Sequence, residues 1–183
     1  GKCYLEGENI YCTLCDDRTA THYATSQLIA SGCRKILYLF SSYSYSGTNK
    51  MKGYRDALCG RGLSVQEEYI HQCEKDSAGS QRASAALHKE GLPFDAVLTS
   101  DDALAVGAVK YAHVAGRSIP DDLSIIGYNN SAYSICTDPE LTSIDSKAEA
   151  SAPLLSIPLC VFNGGNVPTR TTIAADLIKK SYN

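Results

Sequence analysis

The sequence predicts an α/β fold, a doubly wound parallel sheet with helices on both faces. Three observations carry this expectation. Short apolar runs recur along the chain as IYCTLC, KILYLF, DAVLTS and LSIIG. Most are followed by a segment whose apolar residues return at helical spacing, and those segments close on glycine. Parallel strands require crossover connections, and right-handed crossovers lay their helices against the two faces of the sheet.

Taken in order, Ile10 to Cys15 reads as a strand, and Asp16 or Asp17 caps a helix beginning at Arg18. Ala20, Tyr23, Ala24 and Leu28 share one face of that helix, and Gly32 supplies its left-handed stop. Lys35 to Phe40 reads as a buried strand, followed by a Ser/Tyr/Gly loop and a helix carrying Met51, Tyr54, Ala57 and Leu58, closed by Gly60 and Gly62. Val65 to Ile70 reads as the next strand, and Ala83, Leu87 and Glu90 lie on a helix ending at Gly91. Asp95 to Ser100 is a strand, with Asp101 or Asp102 capping a helix through Ala105, Ala108, Val109 and Ala112 up to Gly116. After Ile119-Pro120, Leu123 to Gly127 is a further strand, so the sheet accounts for Cys15 to about Tyr128. The remainder from Asp138 is less regular. Pro153 and Pro158 interrupt an apolar stretch, and an interior proline costs a helix about 3 kcal/mol, so any helix there is short or kinked. Asn163 to Pro168 is turn-rich, Arg170 to Ala175 alternates as a strand does, and Gly1 to Glu8 reads as a loop.

Composition narrows the function. The 183 residues are 44% apolar and 20% charged with a net charge of −3, an ordinary composition for a soluble globular protein with one main core. No apolar run approaches the roughly 18 residues that cross a bilayer, and GKCYLEGENIYC lacks the basic-then-apolar layout of a signal peptide. The absence of a basic block means that any grip on a phosphate backbone must come from elsewhere. The eight cysteines fall mostly in apolar segments and read as free core thiols, which suits the reduced cytoplasm. Cys12 and Cys15 form a C-x-x-C, but His22 and Cys33 lack the spacing of a second zinc-binding pair.

The phosphate-loop, nucleophile-elbow, dinucleotide-turn and zinc-protease motifs do not occur. His22, His71, His88 and His113 are isolated in sequence, so no catalytic residue is assigned, and the reading calls for neither metal nor cofactor. In a doubly wound sheet the ligand crevice lies beyond the carboxyl ends of the strands. That rule selects the loops at Asp16-Asp17, Ser41 to Lys50, Cys73 to Gly79, Ser100 to Asp102 and Tyr128 to Ser131. A hydroxyl-rich ligand needs donors and acceptors there with an aromatic platform or an ammonium nearby, and Tyr43, Tyr45, Lys50, Glu74, Asp101 and Asn129 can supply them. Taken singly, Asp101 also reads as a helix cap, Asn129 as part of a turn and the Tyr/Ser loop as a solvated connection. No pair among them resembles a nucleophile with its base, which favours binding without turnover.

Three stretches resemble the effector-binding core of the lactose and galactose repressor family of bacterial transcription regulators. The most specific runs from Ser100 to Ile144, as SDDALAVGAVKYAHVAGRSIPDDLSIIGYNN and then DPELTSI. It is similar to the family's Asp-x-x-Ala-x-Gly helix, Gly-x-x-x-Pro-x-Asp connection, strand ending in Gly-aromatic-Asp, and Pro-x-Leu-Thr-Thr-Ile return. Asp17 to Phe40 and Lys50 to Gly62 resemble two further helix patterns of the family, and Leu177, Ile178 and Lys180-Ser181 resemble its terminal Leu-Ile-x-Arg-x-Ser. The resemblance implies two α/β lobes of the periplasmic-binding-protein type with a small effector between them, commonly a sugar, and an N-terminal helix-turn-helix that binds an operator as a homodimer. On this reading residues 1–144 form the C-terminal lobe with its lead-in strand and residues 145–183 a returning segment and terminal strand. The DNA-binding headpiece and most of the first lobe are absent, so operator contact would run only through that missing part.

Particular positions depart from the family pattern. Lys50 stands where the family carries an effector-contacting arginine, which replaces a bidentate fork with a point charge. Asn129 stands at the position of a ligand-binding aspartate, and Glu74 at that of a stacking aromatic. Asp101 keeps a polar character that contacts effector in the family. The resemblance also implies a homodimer, with the Ala103 to Ala115 helix and the Leu141 to Ile144 region as contacts and apolar lobe-facing surface at Leu154 to Phe162. An extracytoplasmic solute-binding protein for a sugar transporter shares the architecture and is the alternative reading.

Overall fold

In the computed structural model, which describes residues 12–147 and 170–180, the expected alternation builds a six-stranded sheet beside a two-stranded one. The elements are β1 Cys12–Cys15, α1 Asp17–Ala30, β2 Ile36–Phe40, α2 Tyr45–Gly60, β3 Ile70–Gln72, α3 Ser77–Lys89, β4 Ala96–Thr99, α4 Asp102–Val114, β5 Ser124–Tyr128, β6 Thr142–Asp145, β7 Arg170–Ile173 and β8 Asp176–Ile178. The large sheet runs β3-β2-β4-β5-β6-β8, and β1 pairs with β7 in the small one. The Gly1 to Glu8 loop, the proline-interrupted stretch, the Asn163 to Pro168 loop and the Leu154 to Phe162 surface lie outside the described residues.

The helices begin where their caps are. Asp16 accepts from the Thr19 N–H and so starts α1, Asp76 does the same for α3 through Gly79, and Asp101 for α4 through Ala103. Alternation along the strands then sorts the core into two layers. Ile36, Tyr38 and Phe40 face α1 and α2, and Leu37 and Leu39 face α3 and α4. Tyr38 is fully buried and stacks 5.1 Å from the Tyr54 ring of α2, whose hydroxyl donates to the Ile36 carbonyl at 2.7 Å. Because both faces of β2 are covered, all five of its residues are buried.

Two expectations are corrected. The third strand is shorter and later than Val65 to Ile70: Glu67–Tyr69 forms a 3-10 turn and only Ile70–Gln72 pairs with β2. Tyr69 needs that turn to bury its ring and donate to the Pro93 carbonyl at 2.8 Å. The expected parallel sheet is present from β3 to β6, and β8 adds an edge strand antiparallel to β6. The segment after residue 144 accordingly returns to both sheets, β7 to the small one and β8 to the large one. Lastly, Leu141 to Ile144 cannot form a subunit contact, because all four residues are buried, the last three within β6 between β5 and β8.

Among the described cysteines, Cys33, Cys59, Cys73 and Cys136 are free thiols. Iodoacetamide at about pH 8 is expected to label exposed Cys59 and Cys136 first and to leave Cys33 and Cys73 behind. Cys33 is buried; burial, reinforced by Asp76 and Glu74, pushes the Cys73 thiol up to about 11, so it stays protonated and unreactive. Peptide mass spectrometry over a time course checks the order.

Candidate functional site

The strand order reverses at β2. Its successor β3 lies on one side and β4 on the other, so the carboxyl ends of β2 and β4 mark the switch point at which a doubly wound sheet places its ligand crevice. Lys50, from the second turn of α2, reaches into this place. It is almost fully buried, donates to the Ser100 carbonyl at 2.9 Å and sits 3.4 Å above the Tyr128 ring. The ring offers the negative face of its quadrupole to the ammonium. Tyr128 is fixed in turn by its hydroxyl, which donates to Asp17 Oδ1 at 2.7 Å, and Asp17 is itself buried. Burial, with the Asp17 carboxylate beside it, drives the Tyr128 hydroxyl far above the ordinary phenol range, so it remains a donor.

Beside this floor, Asp101 and Asn129 meet across the ends of β4 and β5. Asn129 Nδ2 donates to Asp101 Oδ2 at 3.1 Å while Asp101 Oδ1 caps α4, and Lys75 Nζ lies 3.9 Å from the same carboxylate. Asn129 has φ of +98° and Asn130 +47°, conformations that asparagine tolerates better than most residues. The turn is held from below. Asp102, fully buried, accepts from the Ser131 N–H at 2.7 Å, the Ser131 hydroxyl at 2.8 Å and the Ser143 hydroxyl at 2.6 Å. Ser143 also accepts from the Asn130 N–H at 3.0 Å. Gly127 makes room for this arrangement, since a Cβ there would stand 2.2 Å from Asp102 Oδ1.

Lys50, Asp101 and Asn129 are therefore brought to adjoining strand ends. Glu74 points outward to Arg82, with which it forms an exposed ion pair, and lines an open depression of about 560 Å³ with Ser41, Gln72, Cys73, Lys75 and Gly79. Tyr43 is exposed and rests its ring edge-on against Phe40, centroids 4.9 Å apart, and Tyr45 opens α2 at the rim. Sequence reasoning missed Asp17, Tyr128 and Lys75. It treated Asp102 only as an alternative cap for α4, whereas Asp101 is the cap and Asp102 the latch beneath the turn. The one signal for Asp102 was its place in an Asp-Asp pair, since a helix start needs one cap and leaves the second carboxylate to be explained.

No described helix is long and apolar enough to cross a membrane. The fold and its crevice define a periplasmic-binding-protein-like domain, and residues 25–155 match the family described as "Periplasmic binding protein-like domain". The chain belongs to that family, in the form carried by LacI-family transcription regulators. It is 47% identical over 176 residues to an HTH-type transcriptional regulator of Lachnoclostridium phytofermentans, covering 96% of this chain and 53% of the relative. It is 32% identical over 141 residues to the HTH-type transcriptional regulator GalR of Escherichia coli, covering 76% of this chain and 41% of that protein. A sugar-binding transcriptional regulator of the LacI family from Escherichia coli, solved in complex with phosphate, superposes with a TM-score of 0.87 at 26% identity, covering 97% of this chain and 65% of that one. The chain spans about half the length of the curated relatives it matches.

Proposed function

We propose that this chain is the effector-sensing part of a bacterial transcription regulator, which takes a small sugar or polyol into the crevice and thereby changes operator binding by a separate N-terminal helix-turn-helix. The observation that carries the reading is the convergence of Lys50, Asp101 and Asn129 at the strand switch point. An ammonium, a carboxylate and an amide offer donors and acceptors at fixed positions, with no nucleophile beside a base, and this fits a neutral hydroxylated ligand that is bound and released unchanged. Tyr43, Tyr45 and Glu74 are assigned to the outer rim of the same site. Effector bound across the two lobes favours one lobe orientation, and a linked equilibrium carries that preference to the DNA-binding part. The regulator names of the relatives favour this reading over a transport receptor, and free thiols suit a cytoplasmic location.

The protein acts as a homodimer on this proposal. With Leu141 to Ile144 buried, the contact falls on the outer side of α4 and the adjoining Ala132–Ile135 turn, where Val114, Tyr133 and Ile135 are exposed. The coding sequence immediately upstream of Gly1 tests the proposal. A helix-turn-helix followed by a half-domain of alternating strands and helices is expected, and the whole protein should then shift its promoter fragment in a mobility assay with a sugar-dependent midpoint. A signal peptide in that position would overturn the reading in favour of an extracytoplasmic receptor.

A further inference from the structure

A second cavity lies away from the strand switch point, at the seam between the two sheets. It measures about 490 Å³, within the ordinary range of small-ligand sites. Its walls come from segments that connect one sheet to the other. Asp16 stands between β1 and α1, Ala174 and Ala175 link β7 to β8, and Ile144 lies in β6. The Asp16 N–H donates to the Ile173 carbonyl at 2.9 Å, which ties two of these walls together. The lining is apolar at Ala175 and Ile144 and presents the half-exposed ring of Tyr23. Among the described residues its charged side chains are Asp16 and Asp176. One Asp16 oxygen takes the Thr19 N–H at 3.1 Å, and one Asp176 oxygen pairs with Lys147 Nζ at 2.6 Å from outside the wall.

We propose that this seam cavity is a second ligand site, distinct from the sugar crevice, and that it takes a small organic cation with an apolar body, such as an aryl- or alkylammonium. The apolar wall and the Tyr23 ring accept the body, and the two carboxylates and the ring face complement the ammonium. An anion of the same shape would face the Asp16 carboxylate and an Asp176 carboxylate whose charge Lys147 offsets only in part. Because β1 and β7 carry the small sheet while α1, β6 and β8 belong with the large one, a molecule seated here contacts the segments through which the two sheets are joined. Its occupancy therefore couples to the relative placement of the sheets, the same variable that the crevice controls.

The test is a titration of the isotopically labelled chain with 2-phenylethylammonium, followed by amide resonances, with phenylacetate and 2-phenylethanol as matched probes. For so small a probe a dissociation constant of about 10 mM or tighter is expected from typical per-atom efficiencies. Saturable shifts should centre on Asp16, Ala174 and Ala175 and vanish in Ala175→Leu, which fills the space. Asp176→Asn should weaken the ammonium about fivefold, as loss of a partly exposed charge contact does, and leave phenylethanol unchanged. Should Ala175→Leu fail to fold, the comparison of ammonium with carboxylate on the unaltered chain decides the matter alone. Absence of saturable shifts, equal binding of phenylacetate, or shifts centred on Lys50, Asp101 and Asn129 would each overturn the proposal. Sugar binding at the crevice is read at those last three residues, so the two sites fail or succeed separately.

Discussion

Replacing Asp102 by alanine is expected to cost about 3 kcal/mol of stability and to free the turn that carries Asn129. The carboxylate is fully buried and is the acceptor for the Ser131 N–H, the Ser131 hydroxyl and the Ser143 hydroxyl. Truncation leaves these donors without their acceptor, at roughly 1–3 kcal/mol for each one that stays buried, partly offset by relief of the carboxylate's own desolvation. Asp102→Asn keeps the shape and an acceptor oxygen, so it should retain most of the stability. The two variants also separate in their pH dependence. Burial is the main cause that raises the Asp102 pKa above the ordinary carboxylate value, against opposing hydrogen bonds from Ser143 and Ser131. Over the window from the ordinary value up to the raised one, the folded state binds more protons than the unfolded state, so this group's contribution to stability falls as pH rises. Asp56, Glu67 and Asp122 have lowered values and act in the opposite sense, losing their contribution as pH falls. The difference between wild type and Asp102→Asn, followed by urea denaturation across pH, removes those shared terms and should show the falling component alone.

Gly53→Val is expected to be at least as damaging, at about 3 kcal/mol or more. Helices α1 and α2 cross so closely that a Cβ on Gly53 would stand 2.2 Å from the Arg18 carbonyl and 3.0 Å from the His22 nitrogen. Both neighbours are backbone atoms of a helix and have no rotamer into which to withdraw, so the helices must separate. Separation lifts Tyr54, the next residue, from its bond to the Ile36 carbonyl, and lifts Lys50, one turn earlier, from Ser100 and the Tyr128 ring. Stability and ligand binding should therefore fall together in this variant. In Asp102→Asn stability should be largely kept, and only the placement of Asn129 is at stake. Thermal denaturation of both proteins distinguishes the cases.

The alternating fold was legible because its signals are local. Asp16, Asp76 and Asp101 cap helices from within the sequence they start, and Gly32, Gly91 and Gly116 take positive φ where those helices stop. The five-residue run of β2 is apolar throughout because both faces are covered. What was missed depends on partners distant in the chain. β8 is three residues long and exists as a strand only because β6 offers it an edge. The Asp17 to Tyr128 bond joins residues 111 positions apart, and nothing local in Asp16-Asp17 shows which aspartate caps and which turns inward. The candidate site was legible to the same degree. The rule of strand carboxyl ends chose the loops that hold Lys50, Asp101 and Asn129, whereas the direction of Glu74 toward Arg82 depended on a helix turn that sequence does not orient.

Isothermal titration calorimetry with neutral mono- and disaccharides tests the central claim most directly, using the whole protein together with Asp101→Ala and Asn129→Ala variants whose thermal transitions match wild type. The account predicts that one sugar binds saturably and that each variant weakens it by roughly tenfold or more, as loss of a buried hydrogen-bonding group at a ligand does. Unchanged affinity in both variants would contradict it, and would place the sugar away from the crevice between β2 and β4.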